Sequence, residues 1–213
     1  MDENIIIING LSKRFKEAKV LEDINISFKK GKIYGLVGRN GSGKTMLLKC
    51  ICGFILEIEG EIIVQGKKVG IDMDITSNIG VIIENPGFLP EYTAYQNLKL
   101  LSMIKKQINR DRIREVIQIV GLDPDSKKKV GKFSLGMKQR LGIAQAIMEE
   151  PDILLLDEPM NGLDDKGVNE IRKLFLQLKE QGKTIIMATH TKEDVERLCD
   201  EVIRMDQGKI IVG

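Results

Sequence analysis

Apolar positions along the chain fall into two rhythms. Short runs dense in Ile and Val recur at Ile5–Ile8, Ile24–Phe28, Ile33–Val37, Glu61–Val64, Ile79–Ile83, Ile153–Leu156, Thr184–Ala188, Val202–Met205 and Lys209–Val212. Several are continuously apolar rather than alternating, as strands covered on both faces of a parallel sheet must be. Between them, apolar residues return every three or four positions, the period of a helix with one buried face. Leu47, Leu48 and Ile51 make such a face after Lys44. Thr93-Ala94-Tyr95-Gln96 has the spacing of a capping box ahead of Leu98, Leu100, Leu101 and Ile104. Asn109 stands where it caps a helix carrying Ile113, Val116, Ile117 and Val120, and Gly121 stops that helix. Val168, Ile171, Leu174, Phe175 and Leu178 repeat in the same way, with Gly182 just past the end. From Pro86 to Glu150 the pattern is helical without a strand-like run, while strand formers stand on both sides. The expectation is a single α/β domain over 1–213, with a core from 1–85 and 151–213 and a helical subdomain inserted at 86–150.

Composition narrows the class. With 213 residues, 42% apolar and 30% charged, the chain has material for one large core and a wetted surface. Its purely apolar runs stop at four residues, as in Ile5–Ile8 and Ile153–Leu156. A helix crossing a bilayer needs about 20. A transmembrane chain is therefore excluded, and so is a largely disordered one. Lys and Arg number 33 against 31 Asp and Glu, a formal net charge of +2. That is not the basic excess of a nucleic-acid coat protein. The local clusters Lys29-Lys30-Gly31-Lys32 and Lys127-Lys128-Lys129 read as solvated turns. Met1-Asp2-Glu3 opens acidic, with no basic stretch ahead of an apolar one, so no secretory signal is expected. Three cysteines, an odd count, suit a reducing cytosol. Cys50 and Cys52 are two apart and face different sides of a helix, which reads as core packing rather than a metal pair.

Candidate chemistry begins at Gly38-Arg39-Asn40-Gly41-Ser42-Gly43-Lys44-Thr45, which matches G-x-x-x-x-G-K-[ST] between an expected strand and an expected helix. A chain that wraps a triphosphate must turn several backbone N–H groups inward at once, and glycines permit the dihedrals this needs. The helix that starts near Gly43 adds its N-terminal dipole. Lys44 supplies a charge for the β- and γ-phosphates, and the Thr45 hydroxyl is placed to ligate Mg²⁺. Ile153-Leu154-Leu155-Leu156-Asp157-Glu158 is an apolar strand ending in two carboxylates. Asp157 at the tip is placed to hold Mg²⁺, and Glu158 to polarise a water for attack on the γ-phosphorus. No Asn-Lys-x-Asp base reader of a GTPase is present.

Phe133-Ser134-Leu135-Gly136-Met137-Lys138-Gln139-Arg140 then opens an amphipathic helix. Here the chain resembles the ATP-binding cassette family, whose signature is Leu-Ser-Gly-Gly-Gln followed by a Gln-Arg pair. The resemblance runs from the first strand to the last. It implies a RecA-like parallel-sheet core, an N-terminal antiparallel β-subdomain and an inserted helical subdomain that bears the signature helix. It implies an ATP site of Phe15, as the aromatic on adenine, with Gly38, Arg39, Asn40, Gly41, Ser42, Gly43, Lys44, Thr45 and Met46. Glu158 and His190, the sole histidine, take the catalytic roles; Thr45, Glu84 and Asp157 are the metal set for Mg²⁺. Asn161-Gly162-Leu163-Asp164 resembles the D-loop. Ser134, Leu135, Gly136 and Met137 would meet the ATP of a partner subunit. The partners implied are a second copy or a paired cassette, and an integral membrane permease reached around Glu84 to Met103. No nucleic acid is implied. The location implied is the cytoplasmic face of the membrane.

The chain departs from the family pattern at two places, the signature and residue 84. Leu135 replaces the first signature Gly and Met137 the Gln. Glu84 stands where Gln is usual, and would add a third carboxylate near the metal. Glu84 and Ser-Leu-Gly-Met-Lys-Gln-Arg together resemble the cassettes of bacitracin-efflux and lantibiotic self-protection transporters, which implies an exporter of membrane-active peptide antibiotics. The competing expectations are a soluble cassette acting on nucleic acid or the ribosome, and a nucleotide-gated module without chemistry. Relatives of the first kind usually carry two cassettes or a long coiled coil. Intact Lys44, Asp157, Glu158 and His190 oppose the second.

Overall fold

The computed structural model describes residues 4–16, 18–73, 78–84, 87–105 and 108–211. Two sheets organise it. The first is antiparallel, in the order β2-β1-β4-β5, built from β1 (Asn4–Phe15), β2 (Ala18–Lys29), β4 (Glu59–Val64) and β5 (Lys67–Lys68). The second has the order β10-β9-β3-β8-β7-β6, from β3 (Ile33–Val37), β6 (Ile79–Ile82), β7 (Ile153–Asp157), β8 (Thr184–Ala188), β9 (Glu201–Asp206) and β10 (Lys209–Ile211). Its strands run parallel except β10, which closes one edge antiparallel to β9.

Continuous apolarity in the central strands has its reason in the packing. Leu154 and Leu156 of β7 join one hydrophobic cluster, and Ile153 and Leu155 join the other. Ile185 and Met187 of β8 divide from Ile186 and Ala188 in the same way. Strands covered on both faces have no polar face to alternate with. One cluster lies under α1 (Lys44–Ile51) and the antiparallel sheet; the other under α2 (Ala94–Lys105), α3 (Arg110–Ile119), α4 (Leu135–Ile147) and α5 (Asp165–Glu180). The remaining helix is α6 (Lys192–Leu198).

The helix starts follow their caps. Thr93 N–H donates to Gln96 Oε1 at 2.9 Å, and Gln96 N–H to Thr93 Oγ1 at 3.3 Å, a closed capping box. Asn109 Oδ1 accepts from Arg112 N–H at 2.9 Å at the start of α3. The strands of the first sheet extend well past the expected runs. Ile5–Ile8 and Ile24–Phe28 are pieces of two 12-residue strands paired in one hairpin. Register shifts in that pairing break the apolar alternation from which their length would have been read. β5, two polar residues long, has no apolar signal. β6 ends at Ile82, one residue short of expectation. Asn85, Pro86 and Val212 lie outside the described residues. Cys50 and Cys52 are both buried free thiols, as core packing requires.

Candidate active site

The phosphate-loop sequence joins β3 to α1 and lines a cleft of about 410 Å³. Asn40 through Met46, Asp157, Glu158 and Val20 form its wall. Gly43 is the N-cap of α1 with φ +105°, a conformation closed to residues bearing a Cβ. Gly38 is fixed by space: a Cβ there would come within 2.2 Å of Met205 O and 2.6 Å of Ser42 Oγ. Arg39, Asn40 and Gly41 stand exposed on the rim, and Met46 is half-buried.

Two features mark the loop as built for an anion. Ser42 Oγ is buried without a hydrogen-bond partner, a cost a folded chain rarely carries unless a ligand satisfies the group. Lys44 is 6% exposed, and its ammonium donates to the loop's own carbonyls, Gly38 O at 2.8 Å and Arg39 O at 3.1 Å. A buried cation satisfied only by neutral carbonyls retains its attraction for phosphate.

Across the cleft, Thr45 Oγ1 donates to Asp157 Oδ2 at 2.6 Å. A hydroxyl and a carboxylate side by side at the foot of a phosphate loop form a hard oxygen donor set of the kind Mg²⁺ takes. Glu158 follows with φ +49°, and its Oε1 lies 2.9 Å from His190 Nδ1. Its own N–H donates to Ala188 O at the end of β8. Parallel pairing of β7 with β8 delivers Glu158 and His190 to the same end of the sheet.

Other expected residues stand apart from this cleft. Phe15 is 45% exposed at the end of the hairpin, with Lys13 Nζ 4.9 Å from its ring centroid; the wall from that hairpin is Val20. Glu84 has φ +61° and pairs with Lys49 Nζ at 2.5 Å. No group of three His, Cys, Asp or Glu side chains suited to a metal occurs among the described residues. Ser134 caps α4, its Oγ accepting from Met137 N–H at 3.2 Å, which leaves its own O–H free to donate. Ser134, Gly136 and Met137 line a different cleft, of about 680 Å³, shared with Gly162, Leu163 and Asp164. Leu135 is 59% exposed on the same helix turn, and Asn161 is exposed on the loop before α5. Asp164 is the N-cap of α5, accepting from Gly167 N–H at 2.9 Å. Sequence reasoning missed Val20 and Lys49. Val20 has no motif around it, but Lys49 sits four residues after Thr45 on one helix face, a spacing that could have flagged it.

A parallel sheet with a phosphate loop at a strand end, and a carboxylate on the facing strand tip, defines a P-loop nucleotide-binding protein. The chain belongs to the ABC transporter family, whose model matches residues 21–161. It is 49% identical over 206 residues to YybJ of Bacillus subtilis (strain 168), an uncharacterised ABC transporter ATP-binding protein, covering 97% of this chain and 94% of that one. It is 42% identical to the bacitracin transport ATP-binding protein BcrA of Bacillus licheniformis, over 97% of this chain and 68% of that one. It is 37% identical to the lantibiotic transport ATP-binding protein SrtF of Streptococcus pyogenes, over 96% and 88%. Among solved structures it superposes on the dimeric bacterial ABC transporter cassette MJ0796 with TM-score 0.87 and 25% identity, covering 97% of each chain. The chain is thus an ABC ATP-binding subunit with relatives in bacitracin and lantibiotic transport.

Proposed function

We propose that this chain hydrolyses ATP and powers export through a separate membrane permease. The observation that carries the reading is the pairing around one cleft of Thr45 with Asp157 and of Glu158 with His190. Lys44 and the loop N–H groups bind the β- and γ-phosphates, and Ser42 Oγ gains the partner it lacks. Glu158 accepts a proton from the attacking water, and His190 keeps its carboxylate directed at that water. Mg²⁺ bound with the nucleotide supplies charge neutralisation of the phosphate oxygens. Thr45 and Asp157 are its holders in this chain, and Glu84 is a further oxygen donor once released from Lys49.

The signature and the phosphate loop line different clefts of one chain. Ser134 and the N–H of Gly136 therefore serve the nucleotide of a second cassette, and two ATP molecules hold two cassettes together. No helix among the described residues is long and apolar enough to cross a membrane. The permease is then another chain, met at the exposed Leu89, Tyr92, Leu100 and Met103. On this reading the working complex sits at the cytoplasmic face of the membrane. Relatives named for bacitracin and lantibiotic transport support a membrane-active peptide antibiotic as cargo. The test is phosphate release with Mg·ATP. Wild type turns over, Glu158→Gln binds ATP without turnover, and Lys44→Ala loses ATP affinity; turnover retained in Glu158→Gln contradicts the reading.

A further inference from the structure

Glu158 sits in a backbone conformation that a residue with a side chain adopts only where its surroundings impose it. Its N–H donates to Ala188 O at 3.0 Å, and its carbonyl accepts from Asn161 N–H at 3.1 Å. A further constraint comes from a different element. Gln139 of α4 is buried, and its Nε2 donates to Pro159 O at 3.0 Å and approaches Glu158 O at 3.4 Å. A buried amide is costly to leave unpaired, and this one is satisfied by two consecutive carbonyls of the segment after β7.

One turn earlier, the same helix face meets the same segment again. A Cβ on Gly162 would come within 2.5 Å of Leu135 Cγ, and one on Gly136 within 2.6 Å of Gly162 O. Residues 135 and 139 are i and i+4 on α4 and share a face. The helix therefore grips the loop at both ends, at Glu158-Pro159 and at Gly162.

We propose that Gln139 is a positioning residue for Glu158. By fixing the carbonyls of Glu158 and Pro159, its amide sets the direction in which the Glu158 carboxylate leaves the chain. This rests on the reading of Glu158 as the group that activates water. Gln139 lies outside the wall of the nucleotide cleft and touches no reacting atom. The consequence is a short mechanical link. Ser134 caps the same helix, so the element that engages a second copy's nucleotide also holds this copy's Glu158. A shift of α4 reaches the chain's own chemistry within two helical turns.

The test compares Mg·ATP turnover, ATP affinity and thermal unfolding of the full chain with those of Gln139→Met, which keeps the length and removes the donor. The expected result is a kcat at least 10-fold lower, with KM for ATP and equilibrium ATP binding within 3-fold of wild type. Unchanged kcat overturns the proposal. A fall in kcat matched by lost ATP binding and a lowered unfolding temperature also overturns it, because that is a packing defect. If Gln139→Met does not fold, Gln139→Leu, which removes the donor without adding a charge, is judged by the same criteria. Absence of turnover in the wild-type chain is a different result: it removes the ATPase reading and this proposal with it.

Discussion

Glu158 carries the sharpest conflict between local cost and use. A non-glycine residue at φ +49° gives up about 1–3 kcal/mol, and such strain gathers where chemistry needs a fixed side chain. Replacing Glu158 by Gly should therefore raise stability to urea while abolishing turnover; a loss of stability would show that the conformation is not strained. Glu84 also has a positive φ, +61°, and an ion pair to Lys49. If Glu84 serves the metal, Lys49 competes for it, and Lys49→Met should lower the Mg²⁺ concentration needed for half-maximal turnover while Glu84→Gln raises it. Identical Mg²⁺ titrations for all three proteins would remove Glu84 from the metal set. At the cysteines burial is the main influence, with the charges of Asp194 and Asp200 adding to it at Cys199. The Cys50 thiol is pushed up to about 12 and those of Cys52 and Cys199 to about 11, from 9.0. Unfolded thiols ionise near 9.0 while the folded ones stay protonated, so this contribution to stability is whole below that pH and is lost as pH rises toward 11–12. Labelling by a thiol reagent should stay slow in the folded chain from pH 8 to 10 and become fast once urea is added.

At the scale of elements, what could be read from sequence depended on whether the signal was local. Helices with a cap were legible because Thr93 with Gln96, and Asn109 with Arg112, form their bonds within three residues. Asn109→Ala should accordingly cost about 1 kcal/mol in urea unfolding. The β1–β2 hairpin was only half legible. Its register shifts displace the alternation that periodicity needs, and what covers its residues comes from α1 and β4, distant in sequence. The contact of α4 with the loop after β7 was not legible at all. Leu135 reads as a departure from the signature, yet its side chain lies where a Cβ on Gly162 would stand. Gly162→Ala adds that collision to a φ of +76° and should destabilise by about 1–3 kcal/mol. Leu135→Ala in the same chain should recover part of the loss, and strict additivity would show that the two residues are uncoupled.

The whole molecule has two hydrophobic cores on the two faces of one mostly parallel sheet, and the clefts that carry the phosphate loop and the signature are likewise separate. The phosphate loop was readable because its residues are consecutive. Val20 was not, since only the fold brings the hairpin to the cleft. The pairs Thr45–Asp157 and Glu158–His190 were readable as residue types, but their contact depends on the parallel order of β3, β8 and β7. Neither cleft alone combines phosphate loop and signature, and in the proposed function a second copy completes the site. The most direct measurement is the mass of Glu158→Gln by size-exclusion chromatography with light scattering, with and without Mg·ATP. The expected result is a monomer without nucleotide and a dimer with it, reverting to monomer when Ser134→Arg is added. A monomer under every condition, with ATP bound, would contradict it.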